Sequence, residues 1–219
     1  FIAFGSFTQF NGKLANRIAK LTSKGELDTT FNPNQTGADS TIKGVLVQSD
    51  GKLLVAGNFT KYNGASVKRL VRLNSNGTID TSFNVGTGFN YMVYSIALQP
   101  DGKIIAAGSF TSYKGAAVKK VIRLQPNGDV DTSFAIGTNP DNTPNLLLLQ
   151  PDGKLLVAGD FSTFNGVAAN KLIRLNTDGS VDSSFSVGTG FDGNIYALTL
   201  QNDNKILVGG AFSNYKGRT

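Results

Sequence analysis

The chain contains no cysteine and no histidine, and it has a single methionine, Met92, and a single glutamate, Glu26. Each shortage removes chemistry. Without cysteine there are no disulfides and no thiolate sites. Without histidine the Ser-His-Asp, Cys-His and histidine-ligated metal sites are out of reach. A carboxylate pair could still act on sugars, but Glu26 sits in a turn beside Lys24 and most aspartates belong to turns. No apolar run approaches 18 residues, so no helix of this sequence is expected to cross a membrane. Prolines number 6 against 26 glycines, and 40% of residues are hydrophobic. That balance suits a soluble all-β protein with many tight turns, and no segment carries a helical period.

What is present is repetition. The phenylalanines Phe7, Phe59, Phe110, Phe161 and Phe212 are spaced by 52, 51, 51 and 51 residues. Each ends a strand-and-corner stretch of the kind Lys103-Ile-Ile-Ala-Ala-Gly-Ser-Phe-Thr111. A fixed period of this size means tandem copies of one supersecondary unit. The repeats run approximately over 1–42, 43–92, 93–144, 145–194 and a partial 195–219, within a single domain of 1–219 or a fragment of one. Residues 207–219 match 2–14 and the first residue is Phe1, so the natural polypeptide is expected to be longer.

The unit Val93–Pro144 shows the local pattern. Val93–Leu98 reads as a buried strand. Gln99-Pro-Asp-Gly102 reads as a hairpin turn with both central residues at positive φ. Lys103–Phe110 is a second strand, apolar enough to be covered on both faces. Its small residues Ala106-Ala107-Gly108 leave room for a neighbouring backbone. Thr111–Gly115 reads as a polar turn and Val118–Leu124 as a third strand. Asp131-Thr-Ser-Phe134 closes the unit, with room for a short fourth strand. Such units stack either as propeller blades or as a linear solenoid. Four-stranded blades occupy roughly 40–50 residues and β-helix coils far fewer, which favours a β-propeller. The expected fold is all-β, with about four to five blades in view, as a ring or part of a larger one.

The net charge of +6, from 21 basic and 15 acidic residues, is spread along the repeats. Basic columns recur at Arg17, Arg69, Lys120, Lys171, at Lys20, Arg72, Arg123, Arg174, and at Lys52, Lys103, Lys154, Lys205. A nucleic-acid footprint would need clustering, so no nucleic-acid partner is expected. Arg72, Arg123 and Arg174 each stand eight residues before Asp80, Asp131 and Asp182. That spacing predicts an ion pair across the intervening hairpin of each copy.

Two long motifs now stand out. One is Gln-Pro-Asp-Gly-Lys-[Ile/Leu]-[Ile/Leu]-x-Ala-Gly-x-Phe at 99–110 and 150–161. The other is Arg-Leu-x-x-[Asn/Asp]-Gly-x-[Val/Ile]-Asp-[Ser/Thr]-Ser-Phe at 123–134 and 174–185, with a looser copy at Lys20–Phe31. Together they resemble the delta-60 repeat, a bacterial β-propeller repeat. The resemblance covers essentially the whole chain. It implies a propeller in a large secreted or surface protein, and it carries no catalytic residues to transfer.

What every copy keeps is read as architecture, and what one copy changes is a candidate for a local role. Phe31, Phe83, Phe134 and Phe185 are read as core plugs. The stretches Asn127–Asp131 and Asn176–Asp182 place oxygens at alternate positions, but the terminal glutamate of an EF-type calcium loop is missing. Turn chemistry explains both, so no cofactor is expected and calcium stays an open alternative. Gly86-Thr-Gly88 and Gly188-Thr-Gly190 lack the helix and Lys-Ser/Thr of a phosphate loop. The loop Asn139–Asn145 replaces Gly88–Val93 and Gly190–Ile195, and residues 32–39 form a third variant. Loops at one rim are where partners dock. The ligand-binding candidates there are Phe89, Tyr91, Asp141, Asn142, Phe191 and Asp192, with edge coverage as the competing role for the aromatics.

The functional expectation is a non-enzymatic binding or structural module of a secreted or cell-surface bacterial protein, recognising a glycan or protein through variable rim loops. The first alternative is an architectural subunit or spacer in a surface filament, with self-assembly. A polysaccharide-acting enzyme is the last.

Overall fold

The computed structural model of the protein describes residues 1–32 and 36–218, and all regular structure among them is strand. Contacts divide the chain into two compact units. The first is Phe1–Ile96 with Phe110–Val118 and Pro126–Asp129; the second is Ala97–Ser109 with Lys119–Gln125 and Val130–Thr219.

In the first unit Leu53–Gly57 is the middle strand of an antiparallel sheet, between Ile42–Val47 and Leu70–Leu73. Ile2–Phe4 pairs with Ile18–Lys20 in the same way that Leu53–Gly57 pairs with Leu70–Leu73. In the second unit Leu155–Gly159 lies between Pro144–Leu149 and Leu172–Leu175. Ile104–Gly108 pairs there with Val121–Leu124, and Asn194–Leu200 with Ile206–Ala211. Every residue of Leu53–Gly57 and Leu155–Gly159 is buried. Successive side chains of a strand point to opposite faces. Accordingly Leu155 and Val157 pack in one apolar cluster, and Leu156 and Ala158 in another. Coverage on both faces is why these strands are apolar without alternation.

The expected third strand over Val118–Leu124 is shorter, Val121–Leu124, because the chain bends just before it. At the equivalent bends Arg17, Arg69 and Lys171 adopt φ of 65°, 71° and 78°. The stretch read as a polar turn, Thr111–Gly115, opens a small hairpin of Ser112–Tyr113 with Ala116–Ala117. The fourth strand reduces to single bridges, such as Leu73 with Ile79 and Leu175 with Val181. The Asp-Gly hairpins also differ from expectation. In Gln150-Pro-Asp-Gly153 only the glycine has positive φ, 81°, and its N–H donates to Gln150 O at 2.9 Å. Proline fixes the preceding corner near −65°.

Glycine ends the middle strand for a different reason. A Cβ on Gly57 would lie 2.3 Å from Thr41 O, and one on Gly159 2.3 Å from Thr143 O. The adjoining strand's backbone occupies the space of a side chain.

The predicted Arg–Asp pairs form. Arg72 Nε donates to Asp80 Oδ2 at 2.7 Å, Arg123 Nε to Asp131 Oδ2 at 2.8 Å, and Arg174 Nε to Asp182 Oδ2 at 2.7 Å. The lysine of the hairpin joins each pair: Lys52, Lys103 and Lys154 reach the same oxygens at 2.9, 3.2 and 2.8 Å. The other oxygen, Oδ1, accepts the N–H and hydroxyl of Ser82, Ser133 or Ser184. Each arginine also lies over a closing phenylalanine, Phe83, Phe134 or Phe185, at 4.6–4.7 Å. Phe31, Phe83 and Phe134 are buried as plugs and Phe185 is half-buried. Finally, Arg72 Nη1 donates to Pro126 O at 2.8 Å and Arg123 Nη1 to Thr177 O at 2.7 Å. Those carbonyls belong to the turn of the following repeat.

Burial would raise the pKa of Asp80 and Asp131, but the serine hydroxyl and N–H, the lysine and the arginine outweigh it. For Asp182 the Lys154 hydrogen bond is the largest influence. All three carboxyls are held well below the usual carboxylate range.

Gly159→Ala is expected to lower the unfolding free energy by about 3 kcal/mol; an unchanged denaturant midpoint would mean the strands part freely there. The unfolded chain protonates its aspartates near the ordinary pKa of about 3.9, the folded chain only at more acid pH. Stability from these carboxylates is therefore full above about pH 5 and falls progressively below about pH 4. Thermal melts across that range should show the loss, and Asp131→Asn should both destabilise at pH 7 and flatten the acid slope. An acid slope identical to the parent's would refute the assignment.

Candidate functional site

The segments joining one repeat to the next are built around a fixed column. Asp39, Asn90, Asp141 and Asp192 stand 51 residues apart. Each caps the small hairpin that follows. Asp39 Oδ1 accepts the N–H groups of Thr60 and Lys61 at 2.7 and 3.0 Å. Asn90 Oδ1 accepts those of Thr111 and Ser112 at 2.9 and 3.0 Å. Asp141 Oδ1 accepts those of Ser162 and Thr163 at 3.0 and 3.1 Å, and its Oδ2 accepts the Ser162 hydroxyl. Asp192 Oδ1 accepts those of Ser213 and Asn214 at 2.8 and 2.9 Å. The Ser162 hydroxyl holds the Asp141 carboxyl below its ordinary pKa, and the Asn214 amide does so for Asp192.

The six residues singled out from sequence thus fall in different places. Asp141 and Asp192 are the caps just described. Phe89 is fully buried, its ring centroid 4.3 Å from Phe110 and 4.4 Å from Tyr113. Phe191 is also buried, 4.7 Å from Phe212 and 4.5 Å from Tyr215, and it lines an apolar cleft of about 300 Å³ with Phe185 and Ile206. Tyr91 is 59% exposed. Asn142 is exposed, its Oδ1 accepting the N–H of Thr143 at 2.8 Å. Of the variant loop at 32–39, residues 33–35 lie outside the described residues.

The acidic turns considered for calcium hold other partners. Asp131 and Asp182 face arginine and lysine as above, Asp178 Oδ1 accepts the N–H and hydroxyl of Ser180, and Asp129 Oδ1 accepts Lys114 Nζ at 2.7 Å. Among the described residues no three acidic side chains gather in a group that could hold a metal.

A position three residues beyond the loop candidates escaped sequence reasoning. The ladders of three first strands shift register between Ile42 and Gly44, between Pro144 and Leu146, and between Ile195 and Ala197. The residues set outside the ladder are Lys43, Asn145 and Tyr196, and Tyr94 is their equivalent in the third repeat. The column Lys, Tyr, Asn, Tyr combines a cation, an amide and two phenols. That mixture lies inside a strand, where no turn residue marks it in the sequence.

Because Asn90 already caps its hairpin as an amide, Asp141→Asn is expected to leave stability nearly unchanged. Asp141→Ala should cost about 1 kcal/mol and speed hydrogen exchange of the Ser162 and Thr163 amides. Equal exchange in both variants would remove the capping role.

The family profile described as domain of unknown function (DUF5122) beta-propeller matches residues 2–31, 48–83, 99–134, 150–185 and 201–219. No curated protein matches the chain. Among solved structures, the extracellular domain of a protein assigned as a hybrid two component system from B. thetaiotaomicron is similar at TM-score 0.53 and 17% identity, over 89% of this chain and 25% of that one. A gluconolactonase from Xanthomonas campestris is similar at TM-score 0.50 and 11% identity, over 88% of this chain. A protein of unknown function from Bacteroides caccae follows at TM-score 0.47, 14% identity and 87% coverage. The chain spans 62% of each of the last two. These likenesses concern the fold, an all-β propeller built from tandem repeats. With matches in every repeat and over more than half its length, the chain belongs to the DUF5122 beta-propeller family.

Proposed function

We infer that the chain is a non-enzymatic recognition module of a secreted or cell-surface bacterial protein, binding a glycan or protein partner. One observation carries this reading. On a frame whose turns, caps and ion pairs recur from copy to copy, the variable positions Tyr91 and Asn142 and the bulge positions Lys43, Tyr94, Asn145 and Tyr196 differ in chemistry. Selection for stacking alone would favour one residue type at equivalent sites; a varied column at bulges, where strands re-aim side chains, suits recognition. Each compact unit presents its own set.

The surface location is supported by the extracellular character of one similar fold and by the resemblance to the delta-60 repeat, the finer family assignment that the motifs at 99–110 and 123–134 favour. The lactone chemistry named for the Xanthomonas protein belongs to that protein. Here the inventory holds no histidine and one glutamate.

Binding to arrays of glycans and of purified bacterial surface proteins, alongside a reducing-sugar assay on polysaccharides, tests the reading. Saturable binding without turnover is the expected outcome. Turnover with no binding partner on either array would overturn it.

A further inference from the structure

A threonine recurs in the turns between repeats, as Thr36, Thr87, Thr138 and Thr189. Where the tip of the following small hairpin is asparagine, its side-chain oxygen caps that threonine. The Thr36 hydroxyl donates to Asn63 Oδ1 at 3.0 Å. The Thr138 N–H and hydroxyl donate to Asn165 Oδ1 at 2.9 and 3.3 Å. At Thr87 the tip is Lys114, a residue with no acceptor. The Thr87 N–H and hydroxyl therefore have no partner among the described residues. The neighbouring amides are committed: Gly86 N–H donates to Asn84 Oδ1 and Gly88 N–H to Val85 O, both at 2.8 Å.

Two lysines flank this turn within the first unit. Lys114 N–H donates to Gly88 O at 3.1 Å, and a Cβ on Gly86 would stand 3.3 Å from Lys114 Cγ. On the other side Phe89 N–H donates to Lys68 O at 3.2 Å, and a Cβ on Gly88 would fall 2.7 Å from Lys68 Cβ. Lys68 is exposed, and its ammonium has no ion-pair partner among the described residues. Lys114 Nζ pairs with Asp129 Oδ1 at 2.7 Å, but the Asp129 side chain is 63% exposed, and a pair so open to water is weak. Two ammonium groups against one carboxylate leave the turn positive. The equivalent positions hold Asn16 with Asn63, Lys119 with Asn165, and Asn170 with Lys216, so the pair of lysines belongs to this turn alone.

We propose that Thr87, Lys68 and Lys114 bind the carboxylate or sulfate group of an acidic glycan. The assignment rests on the recognition reading above and narrows it to one ligand chemistry. An oxyanion oxygen takes the place that Asn165 Oδ1 fills in the other copy, accepting from the Thr87 N–H and hydroxyl, while the ammonium groups balance its charge. A polysaccharide repeats its charged group along its length, so contacts that are weak singly gain by avidity. Protein hot spots favour large anchors in closed, desolvated pockets, whereas this turn offers one amide, one hydroxyl and two flexible cations.

The test titrates the full, isotope-labelled chain at constant ionic strength and follows the Thr87 amide resonance. The probes are uronate-containing and sulfated oligosaccharides, their neutral counterparts, an aspartate-rich peptide and sodium sulfate. Thr87 is expected to move saturably with at least one acidic oligosaccharide and to stay still with the neutral ones. Lys68→Gln is expected to weaken that binding about threefold or more. Lys114→Asn recreates the Asn165 cap, so it should keep Tm and abolish the Thr87 response. Lys24→Gln, in an exposed turn of the same unit, serves as the control and should bind as wild type. A Thr87 resonance that stays still with every acidic oligosaccharide, or that responds equally in both lysine variants, overturns this site and leaves the recognition reading standing. Movement with sodium sulfate alone means an adventitious ion only and overturns it too. Movement with the peptide and no oligosaccharide overturns the glycan assignment. Binding to none of these probes and to neither array overturns both readings.

Discussion

The structure depends on one carboxylate per repeat. Asp80, Asp131 and Asp182 each receive an arginine and a lysine on one oxygen and a serine on the other. A buried carboxylate is tolerable only when paired and hydrogen-bonded, and these are both. Three segments converge on it: the hairpin lysine 28 residues before it, the third-strand arginine eight residues before it, and the closing Asp-x-Ser/Thr-Phe itself. The arginine then spans to a turn carbonyl of the following repeat while its plane covers the closing phenylalanine. The same group thus fixes the turn within a repeat and the register between repeats.

Much of this was legible in the sequence. The 51-residue period, the apolar second strand and the eight-residue Arg–Asp spacing all emerge as strands and ion pairs. Such features are local or strictly periodic, and the residue types declare them. The lysine as third partner was harder to see. Lys52 lies 28 residues before Asp80, and only the folded sheet brings them together. The shortened third strand was hidden too. Nothing in the residue type announces that Arg69 takes a left-handed backbone, since arginine rarely does so. It is held there by side-chain hydrogen bonds to Asn58 O and Phe59 O.

At the candidate site the sequence misled by position. The loops looked variable because Ala38 and Pro140 stand where Phe89 and Phe191 do in the other copies, yet the next residue is always Asp or Asn, and it caps a hairpin. A short polar residue at a constant offset signals a hydrogen bond to backbone, whatever its neighbours do. The converse error concerned Asn145. Strand residues are read for their alternation, and a bulge breaks that alternation without leaving a turn residue behind. Scaffold and variation are therefore interleaved residue by residue here, with constant Asp141 one step from variable Asn142 and buried Pro144 one step from bulged Asn145.

The arginine reaching 54 residues ahead has an evolutionary consequence. Donor and acceptor of that bond lie in successive copies, so duplicating one unit of DNA supplies both halves at once. A new copy arrives already able to grip its predecessor and to be gripped by its successor. Growth by whole units is then easy, and insertion inside a unit is penalised. The spacing from Phe7 to Phe59 holds the one extra residue, and it falls between Phe31 and Ala38, outside every segment the arginine network ties down.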